Sequence, residues 1–149
     1  MRRPIIFALF VVLLTSCASD PIADAEAKWQ AKQITSYQIQ IEEASFWHMQ
    51  TNVITVKNNQ VVNQTASCSK AILETTKCQV RPIQASEYTV PGMFARAKKY
   101  MQGESAPFTK ITYDETWGFP SLIVYNNTRV TDSGVSYRVI KFEVVPQAP

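Results

Sequence analysis

The strict alternation of residues 37–42 constrains the fold of this chain more than any other feature. The segment reads Tyr-Gln-Ile-Gln-Ile-Glu, so that apolar and polar side chains take turns. Because successive side chains of a β-strand point to opposite faces, this pattern predicts a strand with one buried and one solvated face. A sheet built from such strands needs other elements to cover its apolar face.

Further strands are expected on both sides of the chain's middle. The other segments with strand-like patterns are 53–56, 60–65, 109–113, 122–125 and 135–145. Asn58 and Asn59 favour a hairpin turn between the first two, because Asn tolerates positive φ. In the last segment the apolar phase slips by one residue between Val139 and Ile140, which predicts a β-bulge or a bent strand.

Two segments have the pattern of amphipathic helices. Asp20 is a suitable N-cap for the first, which we expect to end near Gln33. Thr89 can cap the second, and Gly103 is placed to terminate it. The order α-βββ-α-βββ and its short connections predict an α+β fold. We expect an antiparallel sheet of about five to six strands with both helices packed on one face.

The first 16 residues resemble a bacterial lipoprotein signal peptide. Arg2 and Arg3 form its positive start, and residues 5–14 are ten consecutive apolar residues. That run is too short for a membrane-spanning helix, which needs ~20. Leu-Thr-Ser then precedes Cys17, and this ending is similar to the lipobox, whose cysteine is lipidated and becomes the new N-terminus. The alternative is an ordinary cleaved signal with an incidental cysteine.

These features divide the 149 residues into three regions. We expect a signal peptide at 1–16, a lipidated tether at 17–21 and a single α+β domain at 22–149. Acyl chains such as palmitate on Cys17 would hold the protein in one leaflet of a membrane. Ala18 follows the cysteine where Asp would signal retention in the inner membrane, so the resemblance implies the outer membrane, facing the periplasm.

Cys68 and Cys78 remain as an even pair once Cys17 carries lipid. In an oxidising compartment such a pair predicts a disulfide, which would stabilise the fold by roughly 2–3 kcal/mol. A metal site is the alternative. Two cysteines and the only histidine, His48, fall short of the four ligands of structural zinc, so we expect no metal and no other cofactor.

Residue patterns that carry catalysis or nucleic-acid binding are scarce. Without Arg2 and Arg3 the chain has 13 basic against 12 acidic residues, a net charge of +1, whereas nucleic acid requires a concentrated basic face. There is no Gly-x-Ser-x-Gly elbow and no phosphate-binding glycine loop. Glu42 and Glu43 would point to opposite faces of a strand. We therefore expect neither an enzyme nor a nucleic-acid partner.

Two aromatic pairs make up the candidate partner surface. Phe46 and Trp47 lie between two predicted strands, where a loop would expose them and a continuing strand would bury Trp47. Trp117 and Phe119 lie in a predicted turn. There, covering the open end of the sheet is the alternative to contacting a ligand.

Three segments together resemble a known family. The family's opening is similar to Trp29 followed by the strand at 37–41. Its first hairpin is similar to residues 53–62. Its hallmark turn is similar to residues 113–123, which read Tyr-Asp-Glu-Thr-Trp-Gly-Phe-Pro-Ser-Leu-Ile. The family is domain-of-unknown-function family 6174, small bacterial secreted proteins and lipoproteins. Many members carry a cysteine pair soon after the first strand, where this chain has none. The resemblance implies the fold and export, and it implies no activity.

The expected function is that of a membrane-anchored envelope lipoprotein that binds a protein partner or has a structural role. The alternative is a small hydrolase or transferase that uses His48 with a nearby acid. That alternative requires His48 to lie in a concave pocket within hydrogen-bond reach of a carboxylate or hydroxyl. Inhibition of an envelope enzyme is a further possibility by analogy. The sequence leaves the oligomeric state open.

Overall fold

The computed structural model describes residues 20–71 and 77–146. The predicted signal peptide, Cys17 and most of the predicted tether lie outside these residues. In the described part of the chain, no helix combines the length and the apolar character needed to cross a bilayer.

Helices and strands follow one another in the predicted order. The elements are α1 (Pro21–Ala31), β1 (Tyr37–Ser45), β2 (His48–Lys57), β3 (Gln60–Ala71), a 3-10 helix (Ala85–Tyr88), α2 (Val90–Tyr100), a second 3-10 helix (Gly103–Phe108), β4 (Thr109–Tyr113), β5 (Pro120–Tyr125) and β6 (Val135–Val144). The α+β class and the α-βββ-α-βββ succession are confirmed.

The six strands that the structure describes belong to one antiparallel sheet with the order β3-β2-β1-β6-β5-β4. The middle is formed by the first and last strands, with Tyr37 of β1 opposite Val144 of β6. The register between them shifts between Gln40 and Ile41, which leaves Ile140 without an opposite residue. This bulge is the phase slip that the sequence of β6 predicts.

Local side-chain chemistry begins the helices and closes the first hairpin. Asp20 Oδ1 accepts a backbone N–H of the first turn of α1 at 2.9 Å, and Thr89 Oγ1 accepts the N–H of Gly92 at 3.1 Å. Both predicted N-caps are therefore confirmed. Asn58 and Asn59 have φ of 50° and 63°, which is the geometry of the predicted two-residue turn.

Three element ends differ from expectation. Helix α1 ends at Ala31, because Gln33 has φ 52° and cannot continue a right-handed helix. Helix α2 ends at Tyr100, before Gly103. Strand β3 continues to Ala71 because its ladder with β2 extends beyond the segment with a strand-like pattern.

The apolar face of the sheet packs against both helices. Tyr37, Ile39 and Ile41 of β1 are buried, whereas the side chains at 38, 40 and 42 are partly exposed. The core cluster also contains Ile22 and Trp29 of α1, Met93, Phe94 and Ala97 of α2, and Ile54, Val56, Phe119 and Ile123. Since both helices contribute to this one cluster, they cover the same face of the sheet, as predicted.

Candidate functional site

The covered face of the sheet is apolar under the helices and polar toward β3. In register across four strands, Cys68 of β3, Gln50 of β2, Glu43 of β1 and Tyr137 of β6 lie opposite one another. We call these four residues the polar row. Residues 77–88 lie against this row, and three groups of contacts hold them there.

The first group surrounds the disulfide. Cys68 and Cys78 are bonded, with their Cα atoms 5.7 Å apart, so the predicted pairing is present in the structure. His48 is buried, and its Nε2 lies 2.9 Å from the carbonyl oxygen of Gln79 and 3.6 Å from Cys68 Sγ. Because a carbonyl can only accept, Nε2 carries the ring hydrogen.

The second group is formed by the Gln50 carboxamide. Its Oε1 accepts the backbone N–H of Arg81 at 2.7 Å, and its Nε2 donates to the Arg81 carbonyl at 3.0 Å and to Asn52 Oδ1 at 2.7 Å. The Arg81 backbone fixes which atom donates and which accepts. Asn52 Nδ2 is consequently left as a buried donor with no partner among the described residues.

The third group joins Tyr88 to the polar row. Its hydroxyl donates to the Glu43 carboxylate. The Arg96 guanidinium lies 4.0 Å from the ring centre of Tyr137 and 4.9 Å from that of Tyr88, and it pairs with Glu87 at 3.1 Å. A cleft of about 390 Å³ opens beside Arg96 and Tyr137.

Burial raises the pKa of both tyrosines above the usual value of 10.0. The hydrogen bond to Glu43 and its charge raise the pKa of Tyr88 further, while Arg96 opposes both shifts. These hydroxyls are therefore neutral hydrogen-bond donors over the whole physiological range.

The aromatic pair at Phe46 and Trp47 forms the connection between β1 and β2. Phe46 is 50% exposed and Trp47 is 53% exposed. Their rings meet edge to face with centres 4.7 Å apart. We call these two residues the aromatic tip. The structure thus has the loop arrangement that the sequence left open, and it does not bury Trp47 in the core.

Phe119 does not belong to an exposed surface, and its assignment to the candidate partner surface is wrong. It is 2% exposed and packs against Trp29 and Phe142. Trp117 is half-buried against Phe142, which lies opposite Ile39 of β1. The aromatic tip follows the other end of β1, roughly 20 Å away at the usual rise of a strand. The four aromatic residues therefore do not form one surface.

His48 lacks the neighbours that the hydrolase or transferase alternative requires. Its ring contacts a main-chain carbonyl and a sulfur, and no carboxylate or hydroxyl is bonded to it within the described ranges. Among the same residues, no three His, Cys, Asp or Glu side chains are grouped closely enough to hold a metal ion.

Strand alternation alone does not predict the polar row, because it assigns every second residue of a strand to the core. The sequence signal that could have predicted the polar row is the presence of polar residues at strand positions that face the core. Glu43 occupies the same phase as Ile39 and Ile41, and Gln50 and Asn52 occupy the phase of Ile54. Such inward polar side chains need partners from another segment.

The helices and strands span the same residues as the match to a known family. A family model described as "Family of unknown function (DUF6174)" matches residues 21–144, from the first residue of α1 to the last residue of β6. No curated protein and no solved structure matches the chain. The resemblance inferred from the opening strand, the first hairpin and the 113–123 turn is therefore confirmed, and the chain belongs to the DUF6174 family, whose function is unknown.

Proposed function

We propose that this protein is a lipid-anchored module of the bacterial envelope that binds a protein partner through its aromatic tip. The observation that carries the proposal is the exposure of Phe46 and Trp47 side by side at the end of a hairpin. Tight turns normally use Gly, Asn, Asp or Ser, and two large aromatic side chains are an unfavourable choice for a solvated turn.

The geometry of the tip suits protein binding. Exposed aromatic residues are typical of the few positions that dominate interface energies. The edge-to-face contact restricts both rings before any partner arrives, which lowers the entropy lost on binding. A shallow cleft of about 340 Å³ next to Phe46, bounded by Tyr125 and residues 132–136, offers a concave surface beside the anchors.

The proposed anchor rests on the N-terminal sequence. A positive start, ten apolar residues and Cys17 after Leu-Thr-Ser support lipidation. The bond between Cys68 and Cys78 is typical of oxidising compartments such as the periplasm. With Ala18 after the cysteine, the proposed location is the outer membrane, with the domain facing the periplasm.

Crosslinking in whole envelopes tests the proposed surface. We would capture the full-length protein after crosslinking and compare the chain with a Phe46→Ser, Trp47→Ser double variant. The matched control is Val62→Ser, which removes another half-exposed apolar side chain, in β3 just after the Asn58-Asn59 turn. We expect a specific partner to be captured by the parent and the control and reduced about tenfold in the double variant, the effect of losing ~1.4 kcal/mol. An unchanged set of captured proteins would contradict the proposal.

Intact mass tests the anchor separately. We expect the mature protein to begin at Cys17 and to carry acyl chains, and Cys17→Ser to abolish both processing at this residue and membrane attachment. A mature protein whose residue 17 is an unmodified thiol would contradict lipidation and leave the binding surface to be judged on its own test.

A further inference from the structure

The two sulfurs of the disulfide lie in different environments. Cys78 is exposed, whereas Cys68 is partly buried in β3 and has the His48 ring beside it. An incoming thiolate therefore has freer access to Cys78. The sulfur that would leave in such an attack is the one next to a histidine N–H.

The His48 ring is oriented to stabilise that leaving sulfur. Its Nε2 donates to the Gln79 carbonyl at 2.9 Å and lies 3.6 Å from Cys68 Sγ, so that its one hydrogen can be shared between the two acceptors. A neutral disulfide sulfur is a weak acceptor, but a thiolate is a strong one, and hydrogen bonds to charged groups are about twice as strong as neutral ones. The N–H would thus interact more strongly with the opened form than with the closed disulfide.

The backbone around Cys78 is held independently of the S–S bond. Gln79 is bonded to His48, and Arg81 donates one hydrogen bond to Gln50 and accepts another from it. Cys68 is held in register by the ladder opposite Gln50. Opening the disulfide leaves these contacts in place, so the two sulfurs remain close and the bond can form again.

From these contacts we propose that Cys68, Cys78 and His48 form a thiol–disulfide exchange site whose substrates are dithiols of other proteins. A substrate thiolate attacks Cys78 Sγ and forms a mixed disulfide, while the Cys68–Cys78 bond breaks and its electron pair leaves on Cys68. The single His48 Nε2–H, which the Gln79 carbonyl also accepts, donates a shared hydrogen bond to the Cys68 thiolate.

The second substrate thiolate then attacks the substrate's own sulfur in the mixed disulfide and expels Cys78 as a thiolate. The two protons released by the dithiol end on Cys68 and Cys78. The protein gains two electrons and the substrate becomes a disulfide, so the exchange balances without any further reagent.

The regiochemistry of attack is the first test, and it needs no variant. The full-length protein is treated with reduced glutathione, quenched with acid and alkylated. Trypsin cleaves after Lys70 and Lys77, which places Cys68 and Cys78 on different peptides. We expect glutathione on Cys78 and the alkyl group on Cys68 in about tenfold excess over the reverse product. Equal amounts, or glutathione mainly on Cys68, would overturn the proposal.

The second test separates the hydrogen bond from packing. His48→Phe keeps a ring and removes the N–H, and His48→Gln retains an N–H donor. We expect His48→Phe to slow the opening by glutathione about tenfold, the loss of one hydrogen bond to a charged group, and to reduce the preference for Cys78. We expect His48→Gln to restore a large part of both.

Equal rates and equal product ratios for all three proteins would overturn the role of His48. Circular dichroism shows which variants fold. If His48→Phe does not fold, the distribution of glutathione between Cys78 and Cys68 in the parent protein still decides the proposal.

Discussion

Gln50 pairs with the backbone of Arg81 as a neighbouring strand would, accepting from its N–H at 2.7 Å and donating to its carbonyl at 3.0 Å. One buried side chain thus replaces a pair of ladder hydrogen bonds and attaches residues 77–84 to β2. Residues 77–84 form no helix or strand of their own, so side-chain bonds of this kind hold them against the sheet.

Removing this carboxamide is expected to destabilise the fold strongly. Gln50→Leu leaves the Arg81 N–H and carbonyl without their partner, which costs about 2–4 kcal/mol of the free energy of unfolding. The matched control is Gln40→Leu, on the outer face of β1, with an expected effect below about 0.5 kcal/mol. Urea denaturation of the three proteins measures the difference. Similar losses for both variants would show that the Gln50 contacts contribute little.

Gly103 and Gly118 allow the cost of a left-handed backbone to be measured separately from the cost of a close contact with α1. Gly118 has φ 87°, and a Cβ there would lie 2.8 Å from the Ala25 carbonyl oxygen. Gly103 has φ 59° with open space around it. Gly103→Ala should cost about 1 kcal/mol, from the left-handed backbone alone. Gly118→Ala should cost more, because the 114–119 turn must also move away from α1. Thermal unfolding of both variants provides the comparison, and equal shifts in Tm would argue against the close approach.

Stability should fall at alkaline pH because of Tyr88. Burial and the bond to Glu43 raise the pKa of the folded state above the unfolded value of 10.0. Below that value the phenol is neutral in both states and its contribution is fully present. Above it the unfolded chain loses the proton first, so the free energy of unfolding decreases with rising pH, by up to about 1.4 kcal/mol per pH unit for one tyrosine.

The variant Tyr88→Phe tests this origin of the alkaline instability. It should unfold with a shallower dependence on pH above about pH 10, where a normal tyrosine ionises. Tyr125→Phe is the control, because Tyr125 is partly exposed and donates no bond to Glu43. Urea denaturation at several alkaline pH values gives the slopes. Parallel slopes for Tyr88→Phe and the parent would exclude Tyr88 as the source.

The two aromatic regions should differ in what they contribute to folding. Phe119→Ala is expected to cost about 3–5 kcal/mol, as for a buried phenylalanine. Trp47→Ala should cost less than about 1 kcal/mol, since half of its side chain is already in water. Chemical denaturation followed by circular dichroism measures both. A large loss for Trp47→Ala would indicate a structural role for the tip and weaken its proposed role in binding.

Features determined by neighbouring residues could be predicted from the sequence. The caps at Asp20 and Thr89, the Asn58-Asn59 turn and the bulge at Ile140 each depend on a few adjacent side chains. The succession of elements followed from them. Phe119 was placed wrongly because its burial comes from packing against Trp29 and Phe142, which are distant in the sequence and leave no local pattern.

The polar row depends on pairings between distant segments. Glu43 accepts a hydrogen bond from Tyr88, and Gln50 accepts one from Arg81. Strand alternation identifies only the face on which each of these side chains lies. The pairing of β1 with β6 is also non-local, so strand order could not be read from any single segment. Polar residues at positions of the apolar phase would have indicated where the polar row lies, but not that residues 77–88 pair with it.

The position of β6 has a consequence for biosynthesis. Residues 37–71 and 109–125 form two separate pieces of the sheet, which only β6 connects. A ribosome must therefore translate past Arg138, through the part of β6 that pairs with both β1 and β5, before the sheet is continuous. A premature stop codon upstream of Val135 would yield a product with the unpaired edges of β1 and β5 open to proteases and chaperones. Quality control of this small protein thus depends on the completion of its final strand.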